Sequence, residues 1–164
     1  MTAYDPTEWH DLFVAVAGAS AALAGLVFVA VSINIERIMK YPGLPERALE
    51  TLLFLVVVLL VAIVGLIPGQ SHVALGAELL VISLGIGGVI SRQDTFQAGS
   101  GEVRLSWRLS RWTVRALAIL PLAIGGLSVL VESGGGLYWV VAGIVFAIGG
   151  AVASAWVLLV EILR

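Results

Sequence analysis

The chain has no cysteine, two histidines, and charge on only 12% of its 164 residues. Without thiols, disulfides and thiolate metal sites are excluded. The histidines, His10 and His72, lack the HxxxH or ExxH spacing that puts two ligands on one helical face, and His10 and Asp11, being adjacent, point in different directions. Catalytic constellations are equally absent. No pair of carboxylates stands at workable spacing within an apolar stretch, and Gly85-Ile86-Gly87-Gly88 follows no phosphate-binding pattern. The expectation is a protein that is not an enzyme, with no catalytic residue, no bound cofactor and no metal. Nucleic acid is not an expected partner either, because the cations flank apolar stretches where lipid headgroups lie.

What fills the chain instead is hydrocarbon. Hydrophobic residues make up 60% of it, and the mean hydropathy is +1.06, far beyond a water-soluble domain. A helix crossing roughly 30 Å of bilayer hydrocarbon needs about 20 apolar residues. Five stretches meet or approach that length: residues 12–35, 48–67, 73–90, 114–131 and 137–160. The expected fold is all-α: a polytopic integral membrane bundle of five transmembrane helices forming one domain over residues 1–164.

The nine cations are sorted. Arg37, Lys40 and Arg47 separate the first two stretches, Arg92, Arg104, Arg108, Arg111 and Arg115 lie between or just inside the third and fourth, and Arg164 is last. The amino-terminal arm and the turns at 68–72 and 132–136 have none. Because Lys/Arg-rich loops stay cytoplasmic, the amino terminus is expected outside and the carboxyl terminus inside. Only an odd number of crossings satisfies both ends, which supports the short third stretch. The first stretch is too long for a signal-peptide core, and its flank (Asp5, Glu8, Asp11) is acidic.

Local signals mark the helix ends. Asp5, Pro6 and Glu8 read as a capped start, Pro45 as an opening for the second helix, and Pro121 as a kink in the fourth. Small residues form stripes: Ala17, Ala21 and Gly25 with Gly18 and Ala22 in the first helix, Gly76, Ser83, Gly87 and Ser91 in the third, Gly143, Ala147, Ala151 and Ala155 in the fifth. Helices in lipid associate through such faces because they permit close backbone approach. The second helix is bulky all round and is expected to face lipid, leaving the first, third and fifth as the protein-facing core. With so many small faces and few helices, a homo-oligomer is expected, with another membrane protein as a further possible partner.

Four groups of residues are candidates for function. Glu78 lies within the third stretch, where an acidic group is costly and marks either a polar path or a side chain reaching outer water; His72 is its neighbour. Ser32 and Asn34 at the inner end of the first helix either line a constriction or simply mark the boundary. Arg104, Arg108, Arg111 and Arg115 recur at intervals of 4, 3 and 4, so they share one face of an interfacial amphipathic helix at about 102–113, with Leu105, Leu109 and Trp112 adjoining. That face reads as an anchor at the membrane surface. Finally, Asp5, Glu8, Asp11 and Glu132, with His10 and His72 and no Lys or Arg to offset them, are expected on the outer face, where an assembled ring would make of them an acidic mouth that concentrates cations.

Two resemblances accompany these residues. Ser20-Ala21-Ala22-Leu23-Ala24-Gly25-Leu26-Val27-Phe28-Val29-Ala30 followed by Tyr41-Pro42-Gly43-Leu44 resembles the first hairpin of Orai calcium channels. That resemblance implies Ile33 at the position of the family's pore glutamate, and its amino terminus is basic where this one is acidic, so the calcium site does not carry over. Trp9-His10-Asp11-Leu12-Phe13-Val14 with Phe28-Val29-Ala30-Val31-Ser32-Ile33-Asn34 resembles small actinobacterial membrane proteins, some labelled as modulators of a membrane-anchored protease. It implies an accessory protein of a bacterial inner membrane, and the leading expectation is a non-enzymatic inner-membrane protein acting through helix packing as an oligomeric accessory or regulatory component. The alternative is a homo-oligomeric channel for cations or protons, with Glu78 on its path.

Overall fold

The computed structural model describes residues 3–41, 43–97 and 105–163, with side chains placed for 3–41, 43–92 and 112–160. Its elements are a 3-10 turn Pro6–Trp9, then α1 His10–Ile33, α2 Ile35–Lys40, α3 Leu44–Gly65, α4 His72–Gln97, α5 Leu105–Val131 and α6 Leu137–Leu163. No strand occurs among the described residues, and five helices are long and apolar enough to cross a membrane. The chain is a multi-pass helical bundle.

Boundaries follow local chemistry. Asp5 caps the opening turn by accepting from the Thr7 amide. The first helix stops at Ile33, two residues short of the expected end, and Asn34 leaves helical geometry before the short α2. Gly43, at φ 91°, makes the sharp entry into α3, and Pro45 occupies the first turn as its missing N–H allows. The expected amphipathic segment is not a separate element where it is described: α5 is continuous from Leu105 and runs unbroken through the buried Pro121.

Helices α3, α4, α5 and α6 close a four-membered ring in which α3 packs on α4 and α6, and α5 on the same two; α1 packs on α3 from outside. This overturns the expected arrangement. Over half of the α3 span is buried, 56%, against 17% for the first span. Phe54, Leu55, Val57, Val58 and Val61 of the bulky helix are all interior. Lipid chains and side chains are equally apolar, so bulk alone does not say which a helix prefers; the fit does. One such fit is at Gly150 of α6, where an added side chain would come 3.8 Å from the Phe54 ring of α3.

Two glycine contacts set the closest crossings. A side chain at Gly76 of α4 would lie 2.8 Å from the Gly126 carbonyl oxygen of α5, so these backbones touch directly. On α6, Gly143 accepts Leu122 of α5 against its backbone, and Ala147 and Ala151 continue that buried stripe. The α6 stripe is therefore used within the chain. Ala17 is half-buried, whereas Ala21, Ala22, Gly18 and Gly25 are exposed, and a side chain at either glycine would meet nothing within 4 Å.

The two ends of the bundle differ as the charge sorting requires. At one, here the acidic end, the Leu137 amide donates to the Ala3 carbonyl at 2.8 Å and the Gly135 amide to the Tyr4 hydroxyl, so the amino-terminal arm is fastened to the α5–α6 turn. Trp9 meets Tyr138 edge to face, ring centres 4.8 Å apart. At the other, the basic end, Ile38 of α2 packs with Leu44 and Ala48 of α3 and Leu158 of α6.

Candidate functional site

The most unusual chemistry lies within the bundle near its basic end. Glu50 sits six residues into α3, about 9 Å from its start. Arg115 sits sixteen residues before the end of α5, about 24 Å from the acidic end. The Arg115 Nε donates to Glu50 Oε1 at 2.5 Å and Nη2 donates to Oε2 at 3.1 Å. Both side chains are buried, at 4% and 7% exposure. A planar guanidinium and a planar carboxylate meeting in this fork satisfy each other's charge and much of each other's hydrogen bonding. Losing either would take from the other a buried, two-point partner of opposite charge.

This corrects the expected role of Arg115. It is not part of a lipid-facing basic surface; it turns into the protein. Arg104 lies outside the described residues, and the side chains of Arg108 and Arg111 do so as well. Glu50 escaped sequence reasoning because it stands near the end of an apolar stretch, close to Arg47, where it reads as a boundary residue. The available signal was that each of two stretches carries one inward charge at similar depth and of opposite sign.

Beside the pair, a crevice of about 160 Å³ opens between α3, α5 and α6, lined by Arg47 and Glu50, by Val114, and by Gly150, Ser154 and Val157. Thr51 closes the adjoining turn of α3 by donating to the Arg47 carbonyl at 2.8 Å.

The other candidates are not gathered into one site. Glu78 is half-buried, six residues into α4, and accepts a hydrogen bond from the Gln70 amide. His72 does not pair with it: its Nδ1 lies 3.1 Å from Glu132 Oε1, joining the start of α4 to the turn after α5. A cavity of about 390 Å³ at this end is lined by Tyr4, Asp5, Gln70, Ser71, His72 and Glu132, which brings two of the outer acidic residues to one concave surface and leaves Glu8 and Asp11 outside its lining. The Asp5 carboxyl is held below its ordinary range chiefly by the Thr7 hydroxyl, then by the Thr7 amide. Ser32 and Asn34 are at the opposite end. Ser32 Oγ donates to the Phe28 carbonyl at 2.8 Å and Asn34 Nδ2 to the Ala30 carbonyl at 2.9 Å, so both are satisfied within their own helix. Among the described residues, no group of three or more His, Asp or Glu is arranged to hold a metal.

No protein-family model, curated protein or solved structure matches this chain.

Proposed function

We propose that the protein is a non-enzymatic, multi-pass inner-membrane component that associates with copies of itself and acts as an accessory or regulatory subunit. Its acidic end faces outwards and its basic end the cytoplasm, as the Lys/Arg sorting favours. The observation that carries this reading is the position of α1. That helix rests chiefly on α3, through contacts such as Phe13 against Gly65, and presents Gly18, Ala21, Ala22 and Gly25 away from the bundle. A face of small residues gives lipid chains little surface to pack on but lets a second helix approach closely.

The test uses the cysteine-free background. Gly18→Cys or Ala22→Cys in the full chain, reconstituted in bilayers, is expected to give disulfide-linked dimers on oxidation, and Gly25→Ile to reduce them sharply while helix content is unchanged. A chain that stays monomeric at every lipid-to-protein ratio excludes the reading.

A second reading, a homo-oligomeric cation or proton channel, draws on the acidic cavity with Asp5 and Glu132 and on Glu78 beneath Gln70. Flux through liposomes that Glu78→Gln alters favours the channel; absence of flux leaves the accessory role.

A further inference from the structure

Glu78 stands six residues, about 9 Å, into α4, where the exposed residues beside it on that helix, Ala77 and Val81, are apolar. Lipid chains at that depth neither solvate a carboxyl group nor exchange its proton. Polar surroundings reach it from the acidic end, and there one side chain intervenes.

That side chain is Gln70, which belongs to two places at once. It lines the cavity of about 390 Å³ together with Tyr4, Asp5, Ser71, His72 and Glu132, whereas Glu78 does not line it. Its amide Nε2 donates to Glu78 Oε2. One amide is thus wall to the cavity and cap to the carboxyl group. Because the carboxyl oxygen accepts, the amide nitrogen faces it and the amide oxygen is turned away. That oxygen, Oε1, is buried and has no hydrogen-bond partner among the described residues. A buried acceptor without a donor carries an uncompensated desolvation cost. The cap therefore satisfies Glu78 and leaves Gln70 half-satisfied. The alternative position is adjacent: with the side chain rotated into the cavity, both ends of the amide meet water, and a volume of that size has room for both.

We infer that Gln70 is a lid over Glu78. Closed, as in this structure, it separates the carboxyl group from the cavity at the acidic end. Swung into the cavity, it gives water and protons from that end access to a carboxyl group inside the span. Asp5 and Glu132 in the cavity wall draw cations, protons included, to the lid. The lid serves an ion-conducting chain and an accessory subunit alike, since it governs what reaches Glu78 and not where a proton goes next.

The test is carboxyl labelling of the full chain in bilayers with a water-soluble carbodiimide and methylamine, read residue by residue by peptide mass spectrometry. In the parent, Glu78 is expected to react more slowly than Asp5 and Glu132, yet measurably, because each opening exposes it. Gln70→Ala is expected to raise the Glu78 rate about tenfold, the effect of losing one hydrogen bond to a carboxyl group, and to leave Asp5 and Glu132 unchanged. A second variant checks the route. Ser71→Cys, exposed in the cavity wall and alkylated with a bulky maleimide, is expected to slow Glu78 several-fold. Equal helix content by circular dichroism establishes that the variants fold as the parent does. Equal Glu78 rates in the parent and Gln70→Ala overturn the lid. So does a Glu78 that never reacts in the parent, the mark of a fixed cap. Glu78 reaction undiminished by the blocked cavity overturns the route of access.

Discussion

Arg115 of α5 and Glu50 of α3 form a two-point ion pair inside the protein, the shorter contact 2.5 Å, although their positions are 65 residues apart. The pair joins two helices on different sides of the four-helix ring at one depth. Burial makes it asymmetric in its consequences. Replacing both partners by apolar residues removes charges and their desolvation together, whereas removing one leaves the other uncompensated.

Glu50→Ala or Arg115→Ala is therefore expected to destabilise the folded chain by about 3–5 kcal/mol, and Glu50→Leu with Arg115→Met by about 1 kcal/mol or less. Unfolding in mixed micelles, run as a double-mutant cycle, measures this. Single variants no worse than the double would show that the pair contributes no coupling.

The Gly76–Gly126 crossing gives a second prediction. Gly76→Ala places a methyl 2.7 Å from Leu130 Cγ and 2.8 Å from the Gly126 carbonyl oxygen, and a backbone contact has little room to yield. A loss of about 1–3 kcal/mol is expected. Gly85→Ala is the control on the same helix, where the added methyl meets nothing within 4 Å; it is expected to be neutral or stabilising by up to about 1 kcal/mol through helix propensity. Both are read from the same unfolding experiment.

Sidedness can be measured directly, because the chain has no native thiol. Thr7→Cys and Lys40→Cys, each exposed or at the surface at opposite ends of α1 and α2, are expected to react with impermeant maleimide from opposite faces of the membrane, Thr7→Cys from outside intact cells. Labelling of both from one face would remove the basis for the assigned orientation.

The amino-terminal cap carries a pH dependence. The Asp5 pKa is lowered on folding, first by the Thr7 hydroxyl and then by the Thr7 amide. A carboxyl with a depressed folded pKa contributes stability above its unfolded value, near 3.8, and loses it as pH falls through the folded one. Protection of the Thr7 amide against hydrogen exchange is expected to persist at neutral pH and to fall in acid, and Asp5→Ala to lower it at neutral pH, with the difference from the parent shrinking as Asp5 becomes protonated. Protection that is flat down to strongly acid pH would rule out the cap as its source.

How much was legible in the sequence differs from residue to residue. Pro45 and Asp5 announced helix starts because their effects are local. Glu78 announced itself as polar within an apolar stretch, but its partner did not: Gln70 is eight residues away across a turn, and His72, nearer in sequence, points to Glu132. The Arg104–Arg108–Arg111–Arg115 periodicity correctly put the last of these on a helix, yet missed that α5 enters the bundle before Arg115 and turns its guanidinium to Glu50.

By itself, the sequence determined the number of crossings, their approximate limits and the separation of charge between two ends. Those follow from the cost of placing each residue in hydrocarbon, which is nearly additive along the chain. Only the tertiary structure decided that α3 lies inside, that α1 lies outside it, and that Glu50 meets Arg115. In water, an apolar stripe tells which face of a helix is buried. In a bilayer, lipid and protein interior are equally apolar, so hydropathy is silent, and the arrangement is left to shape and to the pairing of the few charges.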